Sequence, residues 1–239
     1  MNTNRKTTNN QTKTGPSAAG LTRAAGLAAL VAGIVYAGIQ PIHPPDVLAS
    51  VTTTAWAIIT PLKTAMAILF MVGITGIYTR QVKEAGWLGL AGFVLLGLVW
   101  ALQTAFIFTE AFVIPPLAAV APIFIEGFFG IVNGHPVDTY LGALPMVYAL
   151  LGLMYMLGGL LFGIATFRTR ILPRGAAVLL AAASALTPLA ALFPHEIQRY
   201  AGIPVGLALA WLGYALFIER RAMAATGSAI PQATPSIAK

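Results

Sequence analysis

Long uninterrupted apolar stretches are the feature that most limits what this sequence can fold into. A helix that crosses a bilayer needs roughly 20 mainly apolar residues, and six stretches approach or exceed this length. They cover about residues 24–40, 56–78, 87–111, 141–167, 175–193 and 201–217. Their apolar residues are continuous instead of alternating, which favours helices over strands. The sequence therefore predicts an all-α protein, an integral membrane bundle of six transmembrane helices.

The composition excludes several classes of soluble protein. Of 239 residues, 58% are hydrophobic and only 9% are charged, against about 25% charged residues in an average soluble domain. So few charges cannot cover the surface of a soluble enzyme or form a nucleic-acid-binding face. The absence of cysteine excludes disulfides, thiolate metal sites and a cysteine nucleophile.

The distribution of basic residues predicts the orientation of the bundle. Six crossings put both termini on one side, together with twelve of the fourteen Lys and Arg residues. The other side has only Arg199, and Lys63 lies inside a crossing. Basic residues accumulate on the cytoplasmic side, so we expect both termini in the cytoplasm and a multi-pass protein in a bacterial inner membrane. Membrane lipids are its expected partners, and nucleic acid is not.

The two ends of the chain differ in composition from its centre. Residues 1–20 are rich in Asn, Thr and Lys, and residues 222–239 contain mainly small and polar side chains. Neither tail can bury enough apolar surface to offset the entropy of ordering. We therefore expect disordered cytoplasmic tails over 1–20 and 222–239, around a transmembrane domain at 21–221.

One segment between the third and fourth crossings departs from the pattern. Pro115, Pro116 and Pro122 are expected to end the third helix, and the following residues are apolar but too few to span. Phe124 and Phe128 lie at helical spacing within it. This predicts a short interfacial or re-entrant helix, which is either a lid packed over the bundle or a lateral gate for a lipid-soluble ligand.

Lys63 is the first candidate site residue, because ionisable groups inside a membrane are functional candidates. Counted from Tyr78, it lies ~22 Å into the second crossing, and Gln103 lies ~24 Å into the third when counted from Trp87. Tyr36 and Tyr155 fall at a similar depth and complete a predicted polar layer. The alternative is that the Lys63 ammonium reaches back to the interface and has no other role.

Glu110 is the second ionisable group within a crossing. Lys63 is its available cationic partner, but the same counting separates the two residues by ~12 Å in depth. A salt bridge would therefore need a tilted or kinked helix. The alternative is an exposed carboxylate at the helix end. Together, Lys63, Gln103, Tyr36, Tyr155 and Glu110 form the predicted ligand site.

Three histidines lie on the predicted outer side, each beside a proline. They are His43, His135 and His195. Histidine and carboxylate groups hold zinc or transfer protons, which makes these residues a candidate metal site. No two of them have the spacing of a helical metal motif such as HExxH, and loop histidines with ordinary hydrogen bonds are the alternative. No cofactor follows from the sequence.

Parts of the chain resemble multi-spanning bacterial membrane proteins of the actinobacterial type, a group of unknown function. The likeness lies in the stretch from Gly159 to Arg174, in His43-Pro44 after the first crossing, and in residues 110–118 after the third. It covers most of residues 21–221. The resemblance implies a multi-spanning fold and assigns no activity.

Three functions are compatible with these patterns. The first is a binding or transport module for a small-molecule or lipid-soluble ligand, with an outward-facing pocket around Lys63. The second is a membrane enzyme with a His and carboxylate site on the outer face, and the third is an accessory subunit of a larger membrane complex. Small residues on several crossings suit a partner membrane subunit.

Overall fold

The computed structural model describes residues 17–135, 139–190 and 192–227, and helices are the only regular secondary structure in these ranges. This confirms the predicted all-α class. The α-helices are α1 (Ala18–Ile39), α2 (Thr54–Phe108), α3 (Ile114–Leu117), α4 (Pro122–Asn133), α5 (Leu144–Thr169), α6 (Arg174–Ala190), α7 (His195–Gln198) and α8 (Gly202–Gly227).

Helix α2 is a hairpin of two antiparallel arms. The backbone breaks at Gly86, where φ is 57° and ψ is −162°, a conformation that glycine adopts at little cost. Across the break the rings of Tyr78 and Phe93 stack with centroids 4.4 Å apart, and those of Phe70 and Trp100 lie 4.3 Å apart. The arms, residues 54–85 and 87–108, correspond to the second and third predicted crossings. The first arm continues seven residues beyond Tyr78, its predicted end.

The helices form a ring in which each packs antiparallel to its neighbours. Around the ring the order is α1, the first arm of α2, the second arm, α5, α6 and α8, which returns to α1. Glycines allow the closest approaches. A Cβ atom on Gly33 would lie 2.4 Å from the carbonyl oxygen of Gly206, and one on Gly163 would lie 2.7 Å from the backbone nitrogen of Ala181.

Two contacts identify which helix ends share one end of the ring. The Arg23 guanidinium lies 4.6 Å from the centroid of the Phe217 ring, and the Arg80 guanidinium pairs with the Glu219 carboxylate. The start of α1, the Gly86 turn and the C-terminal part of α8 are therefore together. The α5–α6 turn is there too, since the Gln81 side chain donates a 2.8 Å hydrogen bond to Thr166. We call this the basic end. It carries Arg23, Arg80, Lys83, Arg168, Arg170 and Arg174. We call the opposite end of the ring, where α1 ends and where α2 and α5 begin, the cavity end.

In the described part of the chain, four helical stretches are long and apolar enough to cross a membrane. They are Ala18–Ile39, Thr54–Leu117, Leu144–Thr169 and Arg199–Glu219. The second has 64 residues and contains both arms of the hairpin. Helix α6 is apolar but has 17 residues, the lower limit for a span of about 17–25. By length and composition this is a membrane protein.

The helical core extends beyond the predicted tail boundaries. Helix α1 begins at Ala18, where the Ser17 hydroxyl accepts a 3.0 Å hydrogen bond from the Gly20 N–H and caps the helix. Helix α8 continues to Gly227. Residues 18–20 and 222–227 are thus helical, and residues 1–16 and 228–239 lie outside the described residues.

The predicted extra helix is present as α4. Its Ile125 and Phe128 side chains are buried in a cluster with Trp56. The Asn133 amide donates a 2.9 Å hydrogen bond to the Asp46 backbone carbonyl, which fixes the end of α4 to the loop after α1. These contacts favour a lid packed on the cavity end over a mobile gate.

Candidate binding cavity

A cavity of about 290 Å³ lies at the cavity end of the ring. All five residues of the predicted ligand site line it, although they come from three different helices and the turn that follows one of them. They are Tyr36, Lys63, Gln103, Glu110 and Tyr155. The residues of the predicted polar layer therefore share the wall of one cavity.

Lys63 and Glu110 form an ion pair in this wall. The Lys63 ammonium donates to a carboxylate oxygen of Glu110 at 2.8 Å, with 15% and 6% of the two side chains exposed. The predicted depth difference of ~12 Å was wrong, because the first arm does not end at Tyr78. Lys63 precedes Gly86 by 23 positions and Glu110 follows it by 24, so the hairpin brings them to one level. Because the Lys63 ammonium is bonded within the cavity wall, it does not simply reach back to the interface. Because the Glu110 carboxylate is buried, it is not an exposed group at the helix end.

Glu110 occupies a π-helical turn over Thr109–Val113. Pro115 and Pro116 have no N–H to donate to the carbonyls four residues earlier, and the helix widens at this point. The prolines do not end the helical path, which continues through α3 to Leu117. The indole N–H of Trp56 donates to the Glu110 backbone carbonyl at 3.0 Å. Such turns are frequent at functional sites, and this one directs a carboxylate into the bundle.

His43 is the third member of the charged cluster. Its Nδ1 lies 2.6 Å from the Pro44 carbonyl oxygen, and its Nε2 lies 2.8 Å from the Lys63 Nζ. A carbonyl only accepts, so Nδ1 carries the proton and the Nε2 lone pair accepts from the ammonium. Burial and the Lys63 charge lower the pKa of His43 to about 4. The ring is therefore neutral at neutral pH.

The loop after α1 is held over the cavity from two further directions. The Arg199 guanidinium donates to the His43 backbone carbonyl at 2.7 Å. Asn133 binds the Asp46 carbonyl, as described above, and the Asp46 side chain is buried in the cavity wall. His43 and Asp46 are thus positioned by contacts from α4 and from the turn before α8.

Aromatic side chains form the deep wall. The hydroxyl groups of Tyr36 and Tyr155 lie 3.3 Å apart, and the Trp100 ring meets that of Tyr36 edge to face with centroids 5.5 Å apart. Trp100 is 2% exposed, and its indole N–H has no hydrogen-bond partner in the described part of the chain. An orphaned buried donor costs free energy, and this one belongs to a side chain that lines the cavity.

The formal charges around the cavity balance. Lys63 and Arg199 are the cations, Asp46 and Glu110 are the carboxylates, and His43 is neutral. The Gln103 amide and the Tyr148 hydroxyl add uncharged polar groups to the wall. This arrangement provides several hydrogen bonds and no excess of either charge.

The three predicted metal-binding histidines do not form a described site. Both ring nitrogens of His43 are engaged, and His135 is exposed at the end of α4. Within residues 17–135, 139–190 and 192–227, no group of three or more His, Cys, Asp or Glu side chains is arranged to hold a metal. The side chain of His195 lies outside the described set, so the three-histidine site stays a prediction.

The cavity residues missing from the predicted site include Trp100, Tyr148 and Arg199. Trp100 was read as part of an apolar span, although it follows Gly86 by 14 positions and faces Phe70, which precedes it by 16. Identifying Gly86 as the tip of a hairpin would have predicted this pairing.

Comparison of the chain with protein families, curated proteins and solved structures finds no match. The cavity must therefore be interpreted from its own chemistry.

Proposed function

We propose that this protein is a multi-pass protein of a bacterial inner membrane that binds a small, uncharged, hydrogen-bonding ligand in its outward-facing cavity. The observation that carries the proposal is a single wall that combines the Lys63–Glu110 pair with the unpartnered indole N–H of Trp100. Ligand pockets typically combine apolar walls with a few placed polar groups in this way.

The size and charge of the cavity support this class of ligand. A volume of about 290 Å³ is near the lower end of the usual range of roughly 300–1,000 Å³ for ligand pockets. A charged ligand would add an uncompensated charge to a balanced and largely buried wall, which is costly. A neutral molecule with an acceptor group can bind a remaining N–H of Lys63, and a small rotation of the Trp100 ring would bring the buried indole N–H to the same molecule.

The orientation of the bundle gives the first prediction. The positive-inside bias supports a cytoplasmic location for the basic end, with the cavity open toward the outside. Because the native chain has no cysteine, His135→Cys at the cavity end and Lys83→Cys at the basic end can be labelled singly, and both positions are exposed. A membrane-impermeant maleimide added to intact cells should label position 135 and not position 83. Labelling of position 83 alone would show the opposite orientation, with the basic end outside the cell.

The Trp100→Phe variant tests the ligand contact. Phenylalanine keeps an aromatic ring but removes the five-membered ring together with its N–H, so the small cavity left in the core should lower the stability of the unliganded protein by roughly 1–2 kcal/mol, and retention is compared at a temperature where both proteins are folded. Loss of one hydrogen bond, about 0.5–1.5 kcal/mol, should reduce ligand affinity roughly 2- to 10-fold. The measurement is the amount of small molecule that stays with the purified protein during detergent washing, determined by mass spectrometry.

The Trp87→Phe variant is the matched control, since Trp87 is 86% exposed at the Gly86 turn. It should retain as much small molecule as the native protein. If Trp100→Phe retains as much small molecule as the native protein, Trp100 does not contact the ligand. A native protein that carries no small molecule but co-purifies with a membrane subunit would favour the accessory-subunit alternative.

A further inference from the structure

An apolar groove runs between α5 and α6 on the outer surface of the ring. It encloses about 270 Å³, and every residue that lines it is apolar. Leu160 and Ile164 form one side, Val178 and Ala182 form the other, and Phe167 lies toward the basic end. A groove of this kind matches a hydrocarbon chain and offers nothing to a polar ligand.

Three arginines surround the α5–α6 turn at the basic end of the groove. Arg168, Arg170 and Arg174 are exposed, and none forms an ion pair with a carboxylate of the described residues. The Arg174 guanidinium lies 3.9 Å from the centroid of the Phe167 ring. Since Phe167 also lines the groove, positive charge and apolar surface meet at one point.

The backbone at this turn is also unusual. Arg170 ends α5 with φ at 59°, and it is the one non-glycine residue with positive φ in the described ranges. Glycine is the usual residue at such a helix end, so Arg170 occupies a backbone conformation that is unfavourable for its side chain.

Helix α6 begins at the same turn. The Pro173 carbonyl accepts the Ala177 N–H at 3.2 Å, so Pro173 is the capping residue and has no polar side chain to bind the other first-turn N–H groups. Free N–H groups at the start of a helix favour an anion. Together with the unpaired arginines they form a region complementary to a phosphate.

We propose that the groove and the α5–α6 turn bind one anionic diacyl phospholipid. One acyl chain lies along the groove, and the phosphate contacts Arg170, Arg174 and the start of α6. The occupant is a lipid and not a free phosphate, because the groove provides a place for the chain that is continuous with the site for the charge. This site lies at the opposite end of the bundle from the ligand cavity and is independent of it.

Native mass spectrometry of the full chain tests the proposal. The protein is equilibrated with dioleoyl phosphatidylglycerol or dioleoyl phosphatidylcholine, which have the same chains. We expect tighter retention of the anionic lipid, and at least a five-fold weaker retention of it by Arg170→Gln/Arg174→Gln. Lys83→Gln, an exposed basic residue at the same end but on α2, is the matched control and should bind as the native protein does.

Two further measurements distinguish lipid binding from the binding of a free anion and from general attraction to charge. Ala182→Phe fills the groove at an exposed position and should reduce phosphatidylglycerol binding with the arginines intact. Millimolar inorganic phosphate should not displace the lipid. Unchanged retention by the arginine variant, equal binding of the two lipids, or displacement by phosphate would each overturn the proposal.

A stability measurement gives an independent readout. Arg170→Gly should raise the thermal midpoint of the lipid-free protein, since glycine accepts the positive φ, while it lowers phosphatidylglycerol retention. An Arg170 with only a structural role predicts no loss of lipid, and that result would contradict its place in the site.

Discussion

Replacing Lys63 by methionine is expected to lower the free energy of unfolding by about 3 kcal/mol, the lower part of the range for breaking a buried ion pair. The variant deprives the Glu110 carboxylate and the His43 Nε2 of the ammonium that lies 2.8 Å from each. Glu110 is only 5% exposed, and its carboxylate would stay at a buried position where an unpaired charge is costly. Unfolding by SDS in mixed micelles measures the loss.

Two further variants isolate the cause. Lys83→Met removes the same charge from an exposed position on the same arm, and it should change stability by less than about 0.5 kcal/mol. The double variant Lys63→Met/Glu110→Leu removes both charges and should recover at least half of the loss, because an apolar pair often replaces a buried ion pair without cost. A Lys63→Met protein as stable as the native one would contradict a stabilising role for the buried ion pair.

Adding a single methyl group at Gly33 is expected to destabilise the bundle by about 3 kcal/mol, the upper part of the usual range for overpacking. The new Cβ would lie 2.4 Å from the Gly206 carbonyl oxygen and 2.6 Å from the Ala210 backbone nitrogen. These are backbone atoms and cannot rotate away, so α1 and α8 must separate. The thermal midpoint of Gly33→Ala in detergent measures the effect.

Gly38→Ala is the matched control in the same helix. No atom lies within 4 Å of the Cβ position at Gly38, and alanine favours the helix by up to about 1 kcal/mol. The control should therefore be as stable as the native protein or more so. Equal midpoints for the two variants would contradict the close packing of α1 against α8.

The helices were predictable from the sequence because long apolar stretches leave a chain few alternatives. The relative depth of individual residues within those helices was not predictable. The first arm of α2 continues through polar residues such as Arg80 and Glu84 to Ala85, since a helix does not need to end where its apolar stretch ends. That extension accounts for the misplaced depth of Lys63 relative to Glu110.

The members of the polar wall were predictable, but their bonds were not. Tyr36 and Tyr155 were placed at one depth by counting, and their hydroxyls do lie together. The contact of His43 with Lys63 depends on how the loop after α1 folds back over the cavity. That path is determined by Arg199 and Asn133, which are 156 and 90 positions from His43 in the sequence. Neither composition nor periodicity contains this information.

The most direct test of the central claim is the occupancy of the cavity. Gly152 lines the cavity and has no atom within 4 Å of its Cβ position, so a side chain can begin there without a backbone clash, and we expect Gly152→Phe to fill part of the cavity. Gly97→Phe is the control, because Gly97 is equally open and does not line the cavity. Small molecules extracted from the native and variant proteins, purified in parallel, are identified and quantified by mass spectrometry. The account predicts one uncharged compound in the native and Gly97→Phe proteins that is largely lost from Gly152→Phe. Equal amounts in all three proteins, or no compound in the native one, would contradict it.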